Sequence, residues 1–259
     1  MHRGHQALFE NLGTKGAIVV IDNNLSSLTP ANTRQKHTHY PILYLPLKDI
    51  KHLEADEFIN LLRGYFPKLE KIVVGYDFCF GKDRKYCAAY LKEHCKSEVV
   101  VVDEVKFDGY SVHSRVIRKL IQQGNIQQAN RLLGYNYTIE GRKITGQGLG
   151  QSKLFATINL EVQDFTLPKE GVYATLTRVD GSEHLYASVS FLGHRATTDG
   201  SFAIETHILE QRLTCTQGAF ISFLELIREN KKFTSLAELK EAIAQDIAKA
   251  KQIHKSLIL

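Results

Sequence analysis

The sequence predicts an α/β layer in its first half, joined to a small antiparallel β-barrel with a closing helix. Three observations carry that prediction. The first half holds continuous apolar runs (Ala17-Ile18-Val19-Val20-Ile21, Ile72-Val73-Val74-Gly75, Val99-Val100-Val101-Val102) separated by helical patterns. Runs of that kind are buried on both faces, as in a doubly wound parallel sheet. After Gly134-Tyr135-Asn136-Tyr137 the pattern changes to short alternating stretches divided by glycines, which suits a small barrel. The last stretch is amphipathic at helical spacing.

In order, the expected elements are a helix over 4–12, a strand over 17–21, a loop through Thr29-Pro30 and a strand over 42–45. A helix over 56–62, a strand over 71–76, a helix over 84–94 and a strand over 98–102 follow. Helices over 114–123 and 126–133 are divided by Gly124-Asn125. The barrel strands are expected at 138–140, 171–178, 185–190, 202–209 and 219–226, with a hairpin signal at Val179-Asp180-Gly181. Ser235 and Glu238 form a capping box, and Leu236, Leu239, Ile243 and Ile247 make the apolar stripe of the last helix. The boundary falls near 130–136, giving domains 1–133 and 134–259.

Composition narrows the function classes. The chain has 259 residues, 43% of them hydrophobic, enough for a real core. A net charge of +5 is spread along the chain, and its densest basic stretch, Lys82-Asp83-Arg84-Lys85, is broken by an aspartate. That is too mild to argue for a nucleic-acid partner and is compatible with weak attraction to small anionic molecules. The four cysteines form no C-x-x-C pair, which argues against zinc and for a reducing compartment. With no apolar run near 18 residues and no leader pattern, the expectation is a cytoplasmic protein with no membrane partner. Oligomeric state is not legible.

The first motif is His2-Arg3-Gly4-His5 at the start of a helical pattern. A helix N-terminus carries about half a positive charge and unpaired N–H groups. Gly4 lets a ligand approach the backbone, and His2 and His5 can donate to a phosphate. Two solvated terminal histidines are the competing reading.

Several separated motifs then agree with one family. Leu28-Thr29-Pro30 with Arg34 resembles L-T-P-x-x-x-R, and Gly75-Tyr76-Asp77-Phe78-Cys79-Phe80-Gly81 resembles G-x-D-F-x-F-G. Val112-His113-Ser114-Arg115-Val116-Ile117-Arg118 is similar to I-S-S-T-x-I-R. Gly146-Gln147-Gly148-Leu149-Gly150 with Ala156-Thr157-Ile158-Asn159 is similar to G-x-x-L-G-F-P-T-A-N. Gly171-Val172-Tyr173-Ala174, Glu205-Thr206-His207-Ile208-Leu209, and Arg228-Glu229 with Phe233 resemble G-V-Y-A, E-x-H-I-L and R-x-E-x-x-F. In this order they resemble the bacterial bifunctional riboflavin kinase/FMN adenylyltransferases. The departures are the absence of a first strand ending in F-D-G and of F-x-P-H-P, with Asp22-Asn23-Asn24-Leu25 in the latter's region. His113 and Arg115 stand where the pattern has serine and threonine. Four extra residues lie before the T-x-N element, and Ala156 replaces its proline.

The resemblance implies a nucleotidyltransferase-like first half that adenylylates FMN to FAD and a barrel that phosphorylates riboflavin, both with ATP. It implies His2 and His5 as catalytic residues of the first half, with Gly4, Ser114 and Arg118 at the nucleotide and Asp77, Phe78 and Phe80 at the flavin. In the barrel it implies Glu205 as general base, Gly146, Gly148 and Gly150 around the phosphates, Thr157 and Asn159 on Mg²⁺, and Arg228 at the flavin. Thr157 and Asn159 are two apart, so on an extended strand both face one side, and hard oxygens suit Mg²⁺. Two rivals stay open: a kinase with an inactive first half, and a non-catalytic flavin- or nucleotide-binding module.

Overall fold

The computed structural model describes residues 1–23, 27–146, 155–197, 199–210, 213 and 215–256. By packing the chain falls into two compact units, Met1–His113 and Ser114–Leu259.

In the first unit, α1 (Arg3–Phe9) precedes β1 (Ile18–Asp22), α2 (Ala31–Arg34), β2 (Ile42–Pro46), α3 (Leu47–Ile50) and α4 (Ala55–Tyr65). Then come β3 (Lys71–Gly75), β4 (Cys79–Phe80), β5 (Tyr86–Cys87), α5 (Ala88–His94), β6 (Glu98–Val102), β7 (Lys106–Phe107) and β8 (Tyr110–Ser111). The expected parallel pairing is present: β1 runs beside β2 with Ile18 opposite Ile42, and β3 beside β6 with Lys71 opposite Glu98. Among the described residues no ladder joins the two pairs. Phe58, Ile59 and Leu62 of α4 fill the core with Leu45, Val74, Phe80 and Leu91.

The helix expected over 84–94 begins later, at Ala88. Gly81, Asp83 and Arg84 have φ of 71°, 57° and 58°. Left-handed backbone at three of four positions cannot open a right-handed helix, so a 3₁₀ turn and β5 come first. The one-turn helices α2 and α3 start after Pro30 and Pro46, whose fixed φ suits a helix entry but which the periodic pattern does not reveal.

The second unit opens with α6 (Ser114–Gln122) and α7 (Ile126–Leu133). The sequence boundary assigns both helices to the first domain, whereas packing groups them with the barrel. Asn130 explains it: its amide donates to the Phe223 carbonyl at 2.8 Å and accepts from the Tyr137 N–H at 2.7 Å. The strands are β9 (Thr138–Ile144), β10 (Ile158–Glu161), β11 (Gly171–Val179), β12 (Tyr186–His194), β13 (Phe202–Ile208) and β14 (Gly218–Glu229). They close into an antiparallel barrel in the order β10-β13-β12-β11-β14-β9. Both faces of β11 are buried, because the closing helix α8 (Leu236–Ser256) covers the outer one. Val172, Ala174 and Leu176 pack with Ile247, Ala250 and Ile253 of that helix. The alternate residues Thr175 and Thr177 join Ser188, Ser190 and Thr206 in a buried ring of hydroxyls. Its bonds are 2.8 Å (Thr175–Ser188), 2.8 Å (Ser188–Thr177), 3.0 Å (Thr177–Thr206), 2.9 Å (Thr206–Ser190) and 2.8 Å (Ser190–Thr175).

Ser235 caps α8 as expected, its hydroxyl accepting from the Glu238 N–H at 3.2 Å, while Glu238 reaches back to the Thr234 N–H. The stripe is shifted from the expected one. Leu236 is exposed, and the fully buried row is Ala242, Asp246, Ala250 and His254. Small residues at this spacing let the helix sit close on the barrel, where Asp246 and His254 find polar partners.

Candidate active sites

In the barrel, Asn159 of β10 stands directly opposite Glu205 of β13. Arg195, just past the end of β12, joins them. Its Nε and Nη2 donate to Glu205 Oε1 at 2.9 and 2.5 Å, and Nη2 also donates to Asn159 Oδ1 at 3.0 Å. The Asn159 amide nitrogen points to Thr157 Oγ1 at 3.4 Å. Thr157, Asn159 and Glu205 therefore meet, as the sequence expects, and they meet through an arginine that no motif singled out. A Cβ on Gly146 would collide with the Asn159 side chain, so this glycine provides the clearance that side chain needs. Gly148 and Gly150 lie outside the described residues. A cavity of about 370 Å³ opens here, lined by Gly146, Asn159, Arg195, Phe202 and Ile204 among others. Thr157 Oγ1 and Asn159 Oδ1 are neutral hard oxygens of the kind Mg²⁺ takes. Asn159 Oδ1 accepts from Arg195 here and the amide nitrogen faces Thr157, so holding Mg²⁺ on nucleotide phosphates requires the Asn159 amide to turn.

Arg228 is placed differently from the expectation of an open flavin contact. Its Nε and Nη2 bond Asp246 at 2.9 and 2.8 Å, and Nη1 donates to the Glu229 carbonyl. The guanidinium fastens α8 to β14 and lies over the Phe233 ring.

In the first unit, His2 is buried at the N-cap of α1, with its ring stacked on His5 at 3.8 Å between centroids. The His2 backbone N–H donates to His5 Nδ1 at 3.3 Å. A neutral His5 ring therefore carries its proton on Nε2, the atom left to donate. Burial, with Arg34 among the neighbouring charges, pushes the His5 pKa down to about 4. Burial, then the His5 and His113 rings, pushes His2 down to about 2. Both imidazoles are thus neutral near pH 7 and offer N–H groups rather than charge. Formal charge comes from Arg34, whose Nε donates to the Thr29 carbonyl at 3.0 Å and whose buried Nη1 has no hydrogen-bond partner among the described residues. The space over Gly4 is filled: a Cβ there would lie 3.1 Å from His2 Nδ1 and 3.2 Å from the Val112 carbonyl. Gly4 thus permits close packing of α1 rather than open approach of a ligand.

At the end of β3, the Tyr76 hydroxyl meets His113 Nε2 at 2.9 Å and Glu104 Oε1 at 3.3 Å, and Asp77 lies 3.9 Å from His113 Nδ1. Asp77 is exposed and Phe78 half-buried. Phe80 is 3% exposed within the core and offers no face to a flavin. Ser114 and Arg118 begin α6 in the second unit. Burial raises the Tyr137 phenol there, with the Arg118 charge acting the other way.

Comparison with known proteins identifies the family. The riboflavin kinase family model matches residues 133–254, and the FAD synthetase model matches residues 42–116. A bifunctional riboflavin kinase/FMN adenylyltransferase of Listeria monocytogenes is 32% identical, over 95% of this chain and 87% of its own.

The chain belongs to the bifunctional riboflavin kinase/FMN adenylyltransferase family. It is an ATP-dependent transferase with a kinase half and an FAD synthetase half, using riboflavin, FMN and ATP as substrates. A relative from Pseudomonas fluorescens with the same description is 28% identical over 98% of this chain and 89% of its own. The fold matches a crystal structure described as a macrolide-efflux protein from Streptococcus pneumoniae. The TM-score is 0.83 at 25% identity, covering 96% of this chain and 90% of that one. No described helix of this family member is long and apolar enough to cross a membrane. Arg34 was visible in the L-T-P-x-x-x-R segment, though without a role. Arg195 sits in a loop with no motif, so its only sequence signal is the arginine itself.

Proposed function

We propose that the barrel phosphorylates riboflavin with Glu205 as general base. The 5′-hydroxyl attacks the γ-phosphorus of ATP, its proton passes to Glu205, and ADP leaves. Positioned bases contribute about 10²–10⁴-fold. Thr157 and Asn159 are the residues that would hold the Mg²⁺ that ATP carries, and that ion would neutralise phosphate charge. Gly146, Gly148 and Gly150 wrap the phosphates, and Arg228 borders the flavin from a guanidinium already fixed by Asp246. The observation that carries this reading is the meeting of Asn159, Thr157 and Glu205 beside one cavity.

In the other half, an FMN phosphate oxygen attacks the ATP α-phosphorus and pyrophosphate leaves. The phosphate is already anionic, so no base is required; what is required is donors and charge around the phosphates. His2 and His5 donate from neutral rings, Arg34 supplies charge, and Gly4 keeps α1 in place. Ser114 and Arg118 contact the nucleotide, and Asp77 and Phe78 the flavin, with Phe80 supporting Phe78 from the core. The functional division is proposed at 133/134, one residue from the start of the kinase family model at 133, and the compartment as the cytoplasm.

The test is product analysis with riboflavin, ATP and Mg²⁺. FAD supports two working halves, FMN alone a kinase only, and neither product a binding module.

A further inference from the structure

We infer that Arg195 meets the terminal phosphate of ATP in riboflavin phosphorylation, an assignment that rests on the barrel being the kinase site. Arg195 lines the cavity, whereas Glu205 is not among the described residues that line it. The guanidinium that bonds Glu205 thus belongs to a residue of the cavity wall, within reach of an entering phosphate.

Among the described residues of the cavity wall the other charged group, Glu161, is already paired with Arg142 at 2.8 Å. Arg195 is held from several sides. Its N–H donates to the Ser201 carbonyl at 2.9 Å, its carbonyl accepts from Gly200 N–H at 3.1 Å, and Nη1 donates to Ser201 Oγ at 2.8 Å. Glu170 fixes the preceding residue, accepting from the His194 N–H at 3.0 Å and facing the His194 ring at 2.8 Å. Gly193, at φ of 144°, leaves room for that carboxylate.

A guanidinium has five N–H donors in a planar fork. Four are used here: Nε and one Nη2 proton on Glu205, the second Nη2 proton on Asn159, and one Nη1 proton on Ser201. The remaining Nη1 proton has no partner among the described residues. A fork fixed by a carboxylate, an amide and a hydroxyl, on a residue that lines the cavity and with one donor left, is preorganised for a phosphoryl oxygen. Charge there matters most as the γ-phosphoryl transfers, so the contact favours ATP over ADP.

The experiment measures FMN formation by R195A and R195K, with thermal melting to establish folding. ATP KM and kcat are set against the inhibition constant of ADP in the same reaction. The expected result for R195A is a fall of about 10²–10³-fold in kcat/KM for ATP, the scale of one lost transition-state donor. ADP inhibition changes less than about threefold by the same argument, since ADP lacks the contact. R195K recovers part of the loss. Equal weakening of ATP and ADP overturns the assignment, and so does an unchanged kcat/KM. If R195A does not fold, R195K decides on the same ATP-to-ADP comparison. E205Q separates the two readings: full FMN formation by E205Q removes the base assignment, whatever the Arg195 nucleotide comparison gives.

Discussion

At the scale of single residues, charge is distributed unequally between the two sites. The first unit keeps His2 and His5 neutral through burial, and the pKa shifts set a pH dependence of stability. Each ring titrates near 6.5 when unfolded and lower when folded, so the unfolded state binds more protons as pH falls. Stability of the Met1–His113 unit is complete above about 6.5. It is lost progressively as pH falls through the His5 value of about 4, with His2 and His37 contributing in the same direction. Denaturant melts at pH 7.5 and 5 should differ, and H5Q should reduce the difference; an unchanged difference removes His5 as its source. In function, H5A should cut FMN-to-FAD conversion while riboflavin phosphorylation continues. Equal FAD yield would take His5 out of the site. The three barrel residues that the fold brings together were legible because chemistry and spacing travel together: Thr157 and Asn159 two apart, Glu205 in its alternation. Arg195 was not, since its partners lie 36 and 10 positions away and only barrel closure unites them. Phe80 misled because an aromatic beside a site motif looks the same whether it faces the core or a ligand.

At the scale of elements, α8 is held by an ion pair that periodicity does not reveal. Arg228 and Asp246 are both largely buried, at 22% and 7% side-chain exposure. Removing one partner leaves a charge without compensation, so D246A should cost about 3–5 kcal/mol by denaturant unfolding. R228M/D246L should cost far less than the two single changes added together. A small effect of D246A alone would mean that helix packing does not depend on the pair. The hydroxyl ring gives a second test. T177V leaves the Ser188 and Thr206 hydroxyls without that partner and should cost about 1–3 kcal/mol. The strands that sequence reading missed, β4, β5, β7 and β8, have two residues each, too few for any periodic signal. β10, with four, was seen only as a motif. Long β11 and β14 were recognised from their runs, although β14 extends further than the pattern suggested.

At the scale of the whole molecule, two reactions in series share one chain, and each half carries its own machinery. The α/β layer and the barrel were legible from the change in pattern after Tyr137. The packing division was not, because Asn130 ties α7 to β14 through contacts nearly a hundred residues apart. The most direct measurement is on E205Q, supplied with ATP and Mg²⁺ and given either riboflavin or FMN. Two independent centres predict that FMN formation from riboflavin falls by about 10²-fold or more, while FAD formation from supplied FMN proceeds at the wild-type rate. Undiminished FMN formation, or parallel loss of both reactions in a folded protein, would contradict the account.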